Sequence, residues 1–150
     1  MFSAIRTYAP ENVFLTFGGA VVEGWNSMTV TRQVPVFRSV KGIRGKNTRV
    51  RDTNSASTIE IICDATSMTN QIFQMIVEAD TVSGAGRIEL TLTDNSGFEV
   101  FYSGEAFITG PAERGYGSEV GDRKWTIECL NSRWGDQRAG IIENIFNAIF

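Results

Sequence analysis

Histidine is absent from all 150 residues. Its loss removes Ser-His-Asp and Cys-His catalysis together with the commonest metal ligand. Cysteine is scarce. Cys63 and Cys129 each sit inside an apolar run without a second thiol nearby, so spacing excludes a zinc ribbon. Both read as buried, reduced, small hydrophobes. Long apolar runs are missing as well. No stretch approaches the roughly 20 apolar residues of a membrane helix, so no membrane partner is expected. The opening Met1-Phe2-Ser3-Ala4-Ile5-Arg6 lacks the basic start and apolar core of a signal peptide. The chain is therefore expected to stay in the cytoplasm where it is made, unless it leaves inside a larger particle. Positive charge is in deficit: 14 Lys+Arg against 17 Asp+Glu give a net charge of −3. Nucleic-acid-binding domains usually show the opposite balance. Proline is limited to three residues, whereas 15 glycines point to many tight turns.

What is present reads as one domain of ordinary size, spanning 1–150. Such a length buries roughly 68–70% of its unfolded surface and needs no disulfide or metal. Strand signals dominate. Residues 12–17 are β-branched and aromatic, and Gly18-Gly19 suits a two-residue hairpin turn into 20–23. Residues 28–34 alternate until Pro35 breaks the ladder. The polar stretch 39–55 has no hydrophobic period and is expected to be a long loop. Residues 58–63 return to strand. Thr66 or Ser67 then caps a helix whose stripe of Met68, Ile72, Met75, Ile76 and Ala79 is expected to lie on the sheet. Strands follow at 87–93 and 98–108, with Gly104 a candidate bulge, and at 124–130 after a Gly-rich loop. The tail 139–150 reads as a short amphipathic helix or an apolar arm. About seven strands and one helix predict a mainly β fold, an antiparallel sandwich or barrel with a packed helix.

Two Gly-rich stretches fail as nucleotide sites. Gly42-Ile43-Arg44-Gly45-Lys46-Asn47 has two residues between its glycines where a phosphate loop needs four, and Asn47 replaces the magnesium-binding hydroxyl. Gly115 to Gly121 misses the dinucleotide fingerprint by one residue, and no helix follows. The carboxylates Glu60, Glu89, Glu99 and Glu128 are scattered singly along strands, which suits the polar side of a sheet better than glycoside chemistry. No enzyme, cofactor or metal is expected.

Three features are costly for a lone chain. Lys41, Arg44, Lys46, Arg49 and Arg51 place five cations within eleven residues. Such a cluster repels itself and is expected to be disordered alone. It becomes favourable against an acidic surface, which a second copy could supply; a solvated loop and a phosphate-binding loop are the other readings. The apolar tail from Ile141 to Phe150 forms an adhesive patch unless it folds back or meets a neighbour. Sheet edges without obvious closure must be paired or protected.

The order and spacing of several motifs resemble the tail tube protein of contractile-tailed bacteriophages. They run from Tyr8-Ala9-Pro10-Glu11-Asn12-Val13 through Phe17-Gly18-Gly19 and Val22-Glu23-Gly24-Trp25. Next come Thr53-Asn54-Ser55-Ala56-Ser57-Thr58-Ile59-Glu60-Ile61 and Ala65-Thr66-Ser67-Met68-Thr69-Asn70-Gln71. The last is Gly117-Ser118-Glu119-Val120-Gly121-Asp122-Arg123-Lys124-Trp125. The resemblance implies hexameric rings whose sheets join into a continuous β-barrel, with the helix outside. It implies stacking of those rings into a tube inside a contractile sheath, between capsid and baseplate. The implied partners are further copies of the chain, the sheath, baseplate and tail terminator proteins. The tape measure protein and genomic DNA would occupy the lumen without sequence-specific binding. The implied location is the virion tail, assembled in the host cytoplasm.

On this reading 40–53 is a ring-to-ring stacking loop carrying Lys41, Arg44, Lys46, Arg49 and Arg51. One polar face among Glu60, Glu89, Glu99 and Glu128 is a candidate lumen lining. The C-terminal arm 136–150, with Ile141, Ile145, Phe146, Ile149 and Phe150, departs from the family pattern and is an expected inter-subunit contact. Alternatives are the tube of a secretion system or phage-like bacteriocin, or a tube-capping or baseplate protein of the same fold. A reading from another class is a small β-barrel that binds an anionic ligand.

Overall fold

A computed structural model describes residues 7–95 and 99–136. Its strands are β1 (Val13–Phe17), β2 (Ala20–Val22), β3 (Trp25–Arg32), β4 (Phe37–Lys41), β5 (Asn47–Arg51) and β6 (Ser57–Asp64). The helix α1 (Met68–Ser83) follows, then β7 (Ile88–Asp94), β8 (Glu99–Ile108), β9 (Glu113–Arg114), β10 (Asp122–Leu130) and β11 (Arg133–Asp136). The fold is mostly antiparallel β with one helix, as the sequence predicts. The main sheet runs β2-β1-β7-β8-β10-β6-β3, with β9 beside β10 and β11 beside β8. β11 continues the register that β10 sets along β8, so the two act as one long strand broken at Asn131.

Strict alternation drives the packing. Ser57, Ile59, Ile61 and Cys63 of β6 are buried, as are Trp125, Ile127 and Cys129 of β10. On β8 the inward set shifts from Phe101 and Ser103 to Ala106 and Ile108. One extra β8 residue stands opposite the Ile88–Leu90 step, so the bulge expected at Gly104 is present. The core includes Leu15 and Leu90 at one end of the strand order and Ile59 at the other, so the sheet curls around it.

α1 closes one mouth of this curled sheet. Ser67 caps its start by accepting from the Thr69 amide, and Gly84 ends it in the left-handed region. Phe73 meets Phe17 and Trp125 edge to face, at 6.1 and 5.4 Å. Each such pair adds about 0.5–1.5 kcal/mol beyond burial. The Trp125 indole N–H donates to Asn70 Oδ1 at 2.9 Å, and Thr69 Oγ1 donates to the Glu23 carbonyl. The side facing the core is therefore Thr69, Phe73, Ile76 and Val77. The expected stripe is corrected here: Met68, Ile72, Met75 and Ala79 face solvent, and only Ile76 of that set packs inward. Aromatic partners at Phe17 and Trp125 draw Phe73 inward, and this rotates the helix away from its methionines.

Gly24 shows why the chain turns where it does. Its φ is +75, and a Cβ there would lie 2.5 Å from the capping Ser67 Oγ. Gly24→Ala should cost about 1–3 kcal/mol from backbone strain alone. Thermal denaturation checks this, and an unchanged midpoint would contradict it.

The largest correction concerns 39–55. β4 and β5 form an ordered two-stranded hairpin separate from the main sheet. No two cations stand directly opposite each other, because every cation on these strands faces an uncharged residue: Phe37 opposite Arg51, Arg38 opposite Val50, Ser39 opposite Arg49 and Lys41 opposite Asn47. Strand β3 also begins earlier than expected, at Trp25, with a register shift between Trp25 and Ser27.

Candidate assembly surfaces

The β4–β5 hairpin is the first surface. Lys41 and Arg44 to Lys46 surround a turn in which the Gly45 amide donates to the Gly42 carbonyl at 2.9 Å. The structure thus brings the five predicted cations, Lys41, Arg44, Lys46, Arg49 and Arg51, onto one exposed projection. Sequence reasoning missed a sixth, Arg38, and the apolar residues among them. Ile43 at the tip is fully exposed, and Phe37 and Val40 are exposed along β4. The Arg49 guanidinium sits 3.6 Å over the Phe37 ring. Among the described residues no ion pair involves any of the six cations. The hairpin carries +6 and no acid, so removing it from a net −3 leaves the rest of the chain at −9.

The convex face of the sheet is the second surface. Register places Thr29, Thr31, Thr58, Glu60, Thr126 and Glu128 side by side across β3, β6 and β10. Glu89, Thr91 and Thr93 extend this face onto β7, where Thr91 stands opposite Thr16 of β1. Glu60 pairs with Lys124 at 3.5 Å, both about half exposed. Such an exposed pair contributes at most about 1 kcal/mol. Glu99 differs from the other three predicted carboxylates. It has the parity of Phe101 and Leu92, so it points to the core side at a strand end. The bulge on β8 is what breaks the simple alternation that grouped all four.

Edges form the third surface. β3 and β2 end the strand order, and β3 offers eight residues paired on one side only among the described residues. The fourth is the outward face of α1, where Met68, Ile72, Met75 and Val82 are 54–90% exposed. Their spacings of four, three and seven draw one apolar line along the helix. The expected C-terminal arm, with Ile141, Ile145, Phe146, Ile149 and Phe150, lies outside the described residues.

Neither cysteine reaches these surfaces, since Cys63 and Cys129 are both buried. Burial, with Asp64 adding to it, pushes the Cys63 thiol up to about 11. Burial, with Glu128 adding to it, pushes Cys129 up to about 12. Thiolate is the nucleophile, so both are inert in the folded chain. The raised folded values mean stability is retained below the ordinary thiol range and falls as pH rises from about 9. A thiol reagent at pH 8 should leave both unlabelled until denaturant is added; rapid labelling of the native chain would contradict this. Among the described residues no three His, Cys, Asp or Glu side chains gather as a metal site. No described helix is long and apolar enough to cross a membrane.

No protein-family model matches the sequence. The chain is 28% identical over 143 residues to a structural protein (ORF10) of Pseudomonas phage KPP10, covering 88% of this chain and 83% of that protein. Its fold matches the tube-terminating cap of the anti-feeding prophage with a TM-score of 0.61 at 9% identity, covering 91% and 95% of the two chains. It also matches a chain of the extended sheath–tube complex of PVC, an extracellular contractile injection system, with a TM-score of 0.60 at 8% identity. That match covers 87% of this chain and 92% of the other. The curled antiparallel sheet with one helix is therefore a fold shared with the anti-feeding prophage cap and with a chain of the PVC sheath–tube complex.

Proposed function

We propose that this chain is a structural subunit of a phage-type contractile tail, which assembles with copies of itself into stacked hexameric rings. The observation that carries the reading is the two-sided sheet. It buries one face on its own core and keeps a Thr- and Glu-lined convex face beside edges that are unpaired among the described residues. Edge pairing between neighbours would join six sheets into one barrel. The convex face would then line a lumen that is polar and free of a basic excess. Such a wall lets DNA pass, because it offers few cations for phosphates to displace counterions against. Glu60, Glu89 and Glu128 belong to that lining, and Glu99 does not.

The β4–β5 hairpin would reach the adjacent ring. Its +6 charge meets copies whose remaining surface is acidic. The outward stripe of α1 would face the surrounding sheath. The remaining partners would be terminator and baseplate proteins at the ends, with tape measure protein and DNA inside. The role has no catalytic step, and its site is the virion tail after assembly in the host cytoplasm. The fold and the phage relative support this reading, alongside tube subunits of secretion systems or bacteriocins.

A terminator is the second reading, because the cap match is as good as the sheath–tube match. Negative-stain electron microscopy of the purified chain separates them. A tube subunit gives stacks of rings, a terminator gives single rings, and dispersed globules at high concentration refute both.

A further inference from the structure

α1 closes its mouth of the curled sheet but leaves β2 partly uncovered. Between the helix and this edge strand lies a groove of about 640 Å³. Its apolar walls are Val21 and Val22 from β2 and Met68, Ile72 and Ile76 from α1. Val21, Met68 and Ile72 are 54–71% exposed, so a lone chain leaves this apolar surface to water. Two carboxylates, Glu23 and Asp64, also line the groove, and among the described lining residues there is no Lys or Arg. Asp64 accepts from Asn26 Nδ2 at 2.7 Å, and neither carboxylate is ion-paired among the described residues. Thr69 Oγ1 donates to the Glu23 carbonyl, which ties the end of β2 to the start of α1 and holds the two walls together.

We propose that this groove is the seat for the β4–β5 hairpin tip of a second copy in the adjacent ring, an inference that rests on ring stacking. The tip carries what the groove lacks. Ile43 is fully exposed and stands in sequence among Lys41, Arg44 and Lys46. An apolar knob surrounded by cations thus meets an apolar slot that holds two anions, and one sequence supplies both halves. Gly42 and Gly45 bracket Ile43 and Arg44, and without side chains there the turn is slim enough to enter. No described residue of β4, β5 or their turn lines the groove of its own chain, so the hairpin that enters belongs to another copy. Contact between two different patches is head-to-tail, and such a contact repeats along an axis when its rotation does not close. Met75 and Val82 lie outside the groove, so that part of the α1 stripe stays available to a sheath.

Peroxide oxidation of the unaltered chain reads the seat through two methionines. Met68 and Met75 are 71% and 69% exposed, and only Met68 lines the groove. Between single chains and stacks seen by electron microscopy, sulfoxide formation at Met68 should slow about fivefold, with Met75 changing less than about twofold. Equal rates at Met68 in both states would overturn the seat while leaving stacking intact. Protection already complete in single rings would give the groove to a lateral neighbour and overturn it equally. A chain that never associates overturns the seat and the stacking reading together. Ile43→Cys with Ile72→Cys in one chain then identifies the occupant. Mild oxidation of its stacks should give a ladder of linked chains, whereas either single variant stops at pairs. Stacks without a ladder contradict the proposal. If the double variant does not stack, Glu23→Lys decides. It should raise the concentration needed for stacking about tenfold, and adding Arg44→Glu should recover most of that loss. Absence of recovery would overturn the pairing of hairpin and groove.

Discussion

Reversing two hairpin charges, Arg44→Glu with Arg49→Glu, is expected to stop ring stacking while leaving the single chain folded. The variant changes the hairpin from +6 to +2. If the hairpin meets an acidic surface on the adjacent ring, each new carboxylate faces like charge, and such juxtaposition costs several kcal/mol. Arg49→Glu also removes the guanidinium stacked on Phe37. The fold should not notice, because β4 and β5 pair with each other and not with the main sheet. Exposed changes of this kind usually alter stability by less than about 0.5 kcal/mol. Electron microscopy should show rings without tubes, and circular dichroism an unchanged melting temperature. Tubes of normal length would contradict the role assigned to the hairpin. For the unaltered chain, raising salt should shorten tubes, since screening weakens exposed charge pairs.

Phe73→Ala should have the largest effect on the single chain. Phe73 is 1% exposed and is the aromatic through which α1 meets both Phe17 and Trp125. Truncating a buried Phe costs about 3–5 kcal/mol. At about 2–4 °C per kcal/mol for a domain of this size, the melting temperature should fall by roughly 6–20 °C. Calorimetry measures this directly. A loss below about 1 kcal/mol would mean that α1 is not what closes that mouth of the sheet.

The fold class was legible because strand alternation survives in β6, β7 and β10, where one face meets the core throughout. Ser67 and Gly84 bound the helix by capping chemistry that reads directly from sequence. Its orientation was not legible. Met68, Ile72, Met75 and Ala79 form as good an apolar line as Thr69, Phe73, Ile76 and Val77, and only partners distant in sequence decide between them. The hairpin was hidden for a related reason. Charged residues at strand positions read as loop, and the cross-strand pairing that keeps those charges apart exists only once β4 and β5 meet. The same limit applies to Glu99, whose face is set by a bulge. The cation cluster was found by counting, whereas Phe37, Arg38 and Ile43 needed the hairpin geometry before they stood out. Trp134 was missed because four residues after a turn carry too little pattern to reveal that β11 prolongs β10.

Sedimentation of the full chain over a wide concentration range tests self-assembly most directly. Six-chain particles and larger multiples should appear as concentration rises at moderate salt. A single boundary at the mass of one chain, 16.6 kDa, across the whole range would contradict the account.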